Sequence, residues 1–442
     1  MDYKQELITT IHDFGCNLDA LLTRLTRLSE ESPTAVLIPA LYEELKRPAL
    51  TKIRDHLATC EFVKTVIVCV NAPTVTDYAK TLQFFQTLPQ KTLIIWENGP
   101  RVTQLLADVR ERGLDLLKYK GKGLAVWLGL GVASLSADAI ALHDADIITY
   151  DYSYPLKLLY PLLDKEFGIA FNKAYYTRLG NYPQSFHGRV VRLFIAPLLN
   201  VLKEVFGEKD YLRYLSAYRY PLAGEFALTS DLALHTRIPA NWGLEIGLLA
   251  EVYRSMPSKR IAQVDLGIFD HKHQPLGEDV NSGLQKMCRD IFRSILRTLT
   301  ETEQVVITWE HIHALRVKFR REAQSFTRKY FIDARFNDLF YDRHQEEIAI
   351  ECFEQVISHA GEQYFNDPVG AQIPDWTRAL AVMPDLRERL ISCVQKDVSQ
   401  VTAQVLASTL TPKRVNSLHR ESPVLPAETM ELKNDAGIPI SR

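Results

Sequence analysis

The chain has 442 residues, of which 46% are hydrophobic and 24% charged, the balance of a globular protein with one large domain and a smaller unit. Lys plus Arg number 52 against 54 Asp plus Glu, so no basic excess points to nucleic acid or an anionic membrane, and a small-molecule partner is expected. Six scattered cysteines without a CxxC, an N-terminus unlike a signal peptide, and a longest uncharged run (residues 123–137) short of the roughly 20 apolar residues of a membrane span together predict a soluble cytoplasmic protein.

In chain order, Leu7, Ile8, Ile11, Phe14, Leu18, Leu21, Leu22, Leu25 and Leu28 recur at helical spacing, which predicts one amphipathic helix over residues 5–30. At Ala35-Val36-Leu37-Ile38-Pro39-Ala40-Leu41 the pattern becomes a short apolar run, closed by Tyr42-Glu43-Glu44: a strand leading into a loop with carboxylates. A helix around 50–60, a strand over 64–71 ending in Asn71, a helix through 78–88 and a strand over 92–96 follow. Strands alternating with helices predict a sheet with parallel strands, flanked by helices, and ligands beyond the carboxyl ends of the strands. Residues 39–44, 71–74 and 144–147 would then share one edge.

Lys118-Tyr119-Lys120-Gly121-Lys122-Gly123 precedes a helical run, so its glycines and lysines sit where a helix start favours phosphate. It lacks the spacing of a Walker A loop, and nucleotide hydrolysis is not indicated. The run Ala139-Ile140-Ala141-Leu142-His143-Asp144-Ala145-Asp146-Ile147-Ile148 predicts a buried strand with Asp144 and Asp146 on one side of its extended end. Two carboxylates so placed suit Mg2+ or Mn2+ and a diphosphate, although any surface loop can carry Asp-x-Asp.

A further strand is expected over 167–176, and residues 186–192 enter a helical run that puts Gly188 and Arg189 at a helix start. Pro221-Leu222-Ala223-Gly224-Glu225 reads as a turn, residues 241–249 open a helix with Glu245 in its first turn, and 261–268 form a last strand before Asp270-His271-Lys272-His273. The partition expected is an N-terminal helix (1–30), an α/β domain (31–282), an α-helical extension (283–411) and a poorly ordered tail (412–442).

Each candidate also has a structural reading. His271 is a third metal ligand or a structural histidine, and Lys122 contacts phosphate or solvent. Glu245 acts chemically or merely favours the helix start, and Glu225 is a site residue or a buried turn carboxylate. Arg189 meets an anionic acceptor or a carboxylate of the protein.

As an ordered set, Ile38-Pro39-Ala40-Leu41-Tyr42-Glu43-Glu44, Gly121-Lys122-Gly123, Asp144-Ala145-Asp146, Gly188-Arg189-Val190, Pro221-Leu222-Ala223-Gly224-Glu225, Gly243-Leu244-Glu245-Ile246-Gly247-Leu248-Leu249 and Ile261-Ala262-Gln263-Val264-Asp265-Leu266-Gly267 with His271 resemble a known family. It is that of the GT-A fold glycosyltransferases that make glucosyl-3-phosphoglycerate, with kinship to mannosylglycerate synthases. The resemblance implies an α/β, Rossmann-like mixed sheet flanked by helices, with a C-terminal α-helical extension. It further implies metal-dependent, retaining transfer of a hexose, glucose favoured, from a nucleoside diphosphate sugar to 3-phosphoglycerate or a glycerate-like acceptor. The product would be a compatible solute or its phosphorylated precursor.

By that likeness Pro39, Ala40, Leu41 and Glu43 border the donor's nucleoside and Gly121 and Lys122 meet its diphosphate side; Asn71, Asp144 and Ala145 are further donor-side candidates, Asn71 standing where the family has an Asp-Ser-type strand ending. Asp144, Asp146 and His271 handle the divalent metal, and Glu245, Asp146 and Lys122 form the catalytic group. Gly188, Arg189, Glu225 and His273 form the acceptor side. The family has Thr, Arg and Asn where this chain has Val191, Phe269 and His273, with Arg192, Lys272 and His273 as nearby polar groups. A mannosyltransferase, a nucleotidyltransferase and a non-catalytic scaffold are the alternative readings, and a homodimer is left open.

Overall fold

The computed structural model describes residues 4–181, 184–272 and 275–410, so His273 and the tail expected at 412–442 lie outside the described residues. The chain opens not with one long helix but with a short strand, β1 (Thr9–Ile11), a turn, and α1 (Leu18–Glu31). Thr9-Thr10-Ile11 is β-branched and pairs in parallel with residues 262–264, which corrects the helix expected over 5–30. Asp13 then accepts the N–H groups of Gly15 and Cys16, and the Asn17 side chain caps α1 by accepting from the Ala20 N–H.

Next come β2 (Thr34–Leu41), a 3-10 turn (Tyr42–Lys46), α2 (Pro48–Ala58), β3 (Thr65–Asn71), α3 (Val75–Phe85), β4 (Lys91–Trp96), α4 (Pro100–Glu111), α5 (Lys122–Ala133) and β5 (Ala139–Leu142). The second half of the α/β region holds α6 (Ser153–Leu163), β6 (Phe171–Asn181), β7 (Gln184–Phe186), a π-helical stretch (Val190–Ile195) running into α7 (Ala196–Phe206), α8 (Asp210–Ala217), β8 (Phe226–Thr229), α9 (Ser230–His235), β9 (Ile238–Pro239), α10 (Leu244–Ser255) and β10 (Ile261–Phe269). The rest is α11 (Gly283–Glu303), α12 (Trp309–Phe336), α13 (Arg343–Asn366), β11 (Gln372–Ile373), α14 (Trp376–Val382) and α15 (Leu386–Leu410).

The main sheet runs β1-β10-β6-β8-β5-β2-β3-β4, with β7 added beside β6. β2, β3, β4 and β5 are mutually parallel, whereas β8 is antiparallel to both β5 and β6, so the sheet is mixed. Both faces are covered. In β2, Ala35 and Leu37 enter one core with α5, while Val36, Ile38 and Ala40 enter the other with α2 and α6. Burial on both faces explains why these strands read as continuous apolar runs rather than alternating ones.

β5 ends at Leu142, opposite Leu37, but β2 continues to Leu41 beside Asn71. Past β5 the His143 N–H still donates to Leu37 O at 3.0 Å, and the chain then turns at residues 145–146.

One compact unit runs to Val401, and it includes the helices after residue 283. Trp376 stacks on Trp127 of α5 at 3.9 Å between ring centroids. The Trp376 Nε1–H donates to Trp127 O at 2.8 Å, and the Trp127 Nε1–H donates to Pro374 O at 2.7 Å. β11 also pairs with β9. The C-terminal helices thereby share the core of the sheet.

Candidate active site

The parallel ends of β2 and β3 bring Pro39, Ala40, Leu41 and Asn71 to one edge, as expected, with Leu41 and Asn71 in register. Glu43 points outward and pairs with Lys46 at 2.7 Å, whereas its neighbour Glu44 is buried and takes Arg47 at 3.3 Å and Lys272 at 3.5 Å. The edge is braced by a residue that no motif marks. Asn98 accepts the Ala72 N–H and donates to the Ala72 carbonyl, both at 3.1 Å, fixing the chain just beyond Asn71.

Gly121 caps α5 and Lys122 begins it. A Cβ at Gly123 would lie 2.4 Å from Pro239 O, and one at Gly247 would lie 2.1 Å from the Pro239 ring. These two glycines let α5 and α10 start against the same proline, so the two helix N-termini converge. Their first turns meet through side chains: Lys122 Nζ is 2.6 Å from Asp144 Oδ1 and 3.3 Å from Glu245 Oε1. Burial pushes the Lys122 ammonium down, but Asp144 and Glu245 outweigh it and hold it above the ordinary lysine range. Lys122 therefore stays charged beside two converging helix starts, an arrangement suited to an anion.

Asp144 and Asp146 do not continue an extended strand. The chain turns at Ala145 and Asp146, so period-two alternation does not place the two aspartates on one side. The physical reason is the partner of Ile147, which forms an antiparallel bridge with His271 instead of prolonging β5. Asp144 faces Lys122, while Asp146 Oδ2 faces His271 Nδ1 at 3.6 Å. Burial pushes the Asp146 carboxyl up, yet His271 and Lys122 prevail and leave it below the usual carboxylate range. Among the described residues no three His, Cys, Asp or Glu side chains are already gathered for an ion. A carboxylate and an imidazole facing each other, with Asp144 on the same turn, nonetheless form a donor set that fits Mn2+ or Mg2+.

Behind this pair sits Glu225, only 1% exposed. Burial, and then the charge of Asp144, pushes its carboxyl up to about 8. The Tyr176 hydroxyl donates to Glu225 Oε2 at 3.0 Å. Lys173 of β6, which the sequence reading treated as part of a strand, is fully buried beneath the same turn and donates to Ala223 O at 2.7 Å. Burial brings its ammonium down to about 8, and Glu245 and Glu225 limit the fall. His143 is buried edge-on to Tyr150, and burial lowers its imidazole to about 3, which keeps it neutral.

An aromatic ladder joins this centre to the 188–192 segment. Phe269 lies 5.3 Å from the His271 ring, Tyr176 stacks on Phe269 at 3.9 Å, and Tyr220 lies 4.7 Å from Tyr176. A Cβ at Gly188 would come within 2.7 Å of the Tyr220 hydroxyl. Arg189 stands where a helix start was expected, but the first turns are π-helical. Its Nε donates to Glu346 Oε1 at 2.9 Å, a carboxylate from α13, and Arg192 takes the same carboxylate at 2.7 Å. The contact with a protein carboxylate, one of the two readings of Arg189, is thus present.

The mixed sheet, the ligand edge formed by its parallel strand ends and the Asp-x-Asp turn beside a lysine at a helix start define a GT-A glycosyltransferase. No protein-family model matches the chain. Glucosyl-3-phosphoglycerate synthase of Methanococcoides burtonii is 45% identical over 400 residues, covering 90% of this chain and 99% of that protein. The enzyme of the same name from Persephonella marina is 34% identical over 402 residues, 90% of this chain and 98% of the relative. A crystal structure of the synthase from Mycobacterium tuberculosis, in complex with Mg2+ and uridine diphosphate, aligns with a TM-score of 0.48 at 26% identity, over 66% of this chain and 86% of that one. The chain belongs to the glucosyl-3-phosphoglycerate synthase family.

Proposed function

We propose that the protein transfers glucose from a nucleoside diphosphate sugar to 3-phosphoglycerate, with retention at the anomeric carbon and dependence on Mg2+ or Mn2+. The observation that carries this reading is Lys122 held between Asp144 and Glu245 at the meeting point of two helix starts. The substrate class is supported by the relatives, which match over nearly their whole length and are named for this product.

Pro39, Ala40, Leu41 and Asn71 border the nucleoside, and the start of α5 with Lys122 receives the diphosphate. Asp144, Asp146 and His271 would hold the divalent ion, which supplies positive charge against the departing diphosphate. Lys122 adds a fixed cation that gains most when that charge develops, the condition for lowering a barrier rather than merely tightening binding. Glu245 places a carboxylate beside the sugar, and Gly188 with Arg189 receives the acceptor's anionic group. In a front-face transfer the bond from the anomeric carbon to diphosphate oxygen breaks, the acceptor hydroxyl oxygen takes its place, and the hydroxyl proton passes to the leaving diphosphate. Glu225, buried with Tyr176 and Lys173 behind Asp144, fixes the turn that supports this carboxylate.

No described helix is long and apolar enough to cross a membrane. The six cysteines are all free thiols, three of them buried, which supports a reducing, cytoplasmic setting.

Incubation with UDP-glucose, 3-phosphoglycerate and Mn2+ should release UDP and form glucosyl-3-phosphoglycerate. Release of pyrophosphate would indicate nucleotidyl transfer instead. Donor binding without turnover on any glycerate-like acceptor would leave a binding protein.

A further inference from the structure

Two arginines of the 188–192 segment, Arg189 and Arg192, converge on a single carboxylate of α13. Arg189 and Arg192 share one carboxylate, Glu346, which is 3% exposed, and Arg178 lies close by with its Nη1 donating to Tyr220 at 3.3 Å. The two arginines that meet Glu346 are used very differently.

Arg192 is saturated. Its Nη1 and Nη2 donate to the two oxygens of Glu346 at 2.7 and 3.3 Å, and its Nε donates to His187 O at 2.9 Å. Its guanidinium also lies over the Tyr330 ring at 4.8 Å. Such a buried fork is structural, and removing one partner leaves an uncompensated charge.

Arg189 gives Glu346 only its Nε. Its two terminal nitrogens have no hydrogen bond among the described residues, and its side chain is about one-third exposed. A guanidinium held by Nε is fixed in direction while its terminal fork stays available for a carboxylate or phosphate. The support is rigid, because the Phe340 N–H just before α13 donates to Gln184 O at 2.9 Å and Phe340 bridges Ser185 of β7.

We propose that Glu346 is the positioning residue of the acceptor subsite: it aims the terminal fork of Arg189 at the anionic group of the acceptor, so that the C-terminal helices complete that subsite. The inference rests on the functional reading above. It assigns α13 a part in acceptor recognition.

The test uses the full chain with UDP-glucose, 3-phosphoglycerate and Mn2+, and adds calorimetric binding of 3-phosphoglycerate. Glu346→Gln should raise the acceptor KM and Kd by about tenfold while the donor KM stays within about twofold, and Glu346→Asp should recover part of the loss. Equal rises in both KM values would reduce Glu346 to a structural role and overturn the proposal. A lowered acceptor KM would also overturn it, since Glu346 would then be competing with the acceptor. If Glu346→Gln loses its cooperative melt, Arg189→Lys decides, because it keeps the charge and the Arg192–Glu346 pair but loses the aimed fork. The same tenfold rise in acceptor KM and Kd is expected there, and an unchanged value of both overturns the proposal. Wild-type protein that neither turns over nor binds 3-phosphoglycerate defeats the functional reading itself, a result separate from any difference between variants.

Discussion

Lys122 Nζ lies 2.6 Å from Asp144 Oδ1, so the lysine at the start of α5 already neutralises a carboxylate of the Asp-x-Asp turn. Without an ion, this contact relieves repulsion between Asp144 and Glu245. With a donor bound, the same cation stands beside the diphosphate. Lys122→Met should therefore lower kcat by about 10²-fold or more, in the range seen when one stabilising donor is removed. Its half-saturating Mn2+ should not rise, because Asp144 is released rather than lost. Steady-state rates across an Mn2+ titration check both parts.

Asp146 and His271 face each other across the bridge between Ile147 and His271. Both lie beyond the ends of β5 and β10 rather than within the strands. Asp146→Ala and His271→Ala should each lower turnover by about 10²-fold and weaken metal-dependent donor binding, a loss typical of deleting a positioned charge. Chelation should abolish wild-type turnover, and added Mn2+ should restore it. Calorimetry of UDP binding with and without Mn2+ separates the metal role from a folding defect.

Trp376 is fully buried and stacked on Trp127, with each indole N–H satisfied across the contact. Trp376→Ala should cost about 3–5 kcal/mol, as large aromatic-to-alanine changes in cores do. We expect one cooperative urea transition for residues up to 401, shifted as a whole in the variant. A separate early transition in wild-type protein would mean that the C-terminal helices unfold by themselves.

The parallel strands β2, β3 and β4 were legible because burial on both faces leaves uninterrupted apolar runs. α4 carries a legible signal in the sequence, with Pro100 in the first turn and Val102, Leu105, Leu106 and Val109 at helical spacing. β1 was hidden because three residues inside a helix-compatible spacing carry too little pattern. The turn at Ala145 was masked by Ile147 and Ile148, which lengthen the apolar run although Ile147 pairs elsewhere. Lys122, Asp144 and Glu245 could be named from motifs, but their contact depends on how α5 and α10 meet Pro239. Glu346 could not be found at all, since it lies 157 residues from Arg189 and nothing local marks it. Lys173 is similar: a lysine in a strand reads as exposed unless the opposite face is known to be covered.

Glu97, just past β4 and 8% exposed, gives a pH prediction at the cap of α5. Burial pushes its carboxyl up from 4.5 to about 7, and a backbone bond from Gly121 offsets part of the shift. The folded state therefore binds more protons than the unfolded state between pH 4.5 and about 7. The contribution is fully present below 4.5 and is lost as pH rises through about 7. Glu97→Gln, neutral throughout, should flatten this decline by about 1–3 kcal/mol. Urea midpoints at about pH 5 and about pH 8 for both proteins provide the check.

Gly224 precedes the buried Glu225, and a Cβ there would lie 2.4 Å from Asp144 Oδ2 and 3.0 Å from its Cγ. Gly224→Ala must then move either the turn or the carboxylate. The turn is tied down, since Lys173 holds Ala223 O at 2.7 Å and Tyr176 holds Glu225 at 3.0 Å. The carboxylate is the softer side, so Asp144 should rotate away from Lys122 and from the position it takes toward an ion. Half-saturating Mn2+ and donor KM should both rise by about tenfold, with 3-phosphoglycerate binding unchanged because Arg189 and Glu346 lie at the other end of the aromatic ladder. An Mn2+ dependence identical to wild type in a folded Gly224→Ala protein would show that Asp144 tolerates displacement, and would remove it from the ion-holding set.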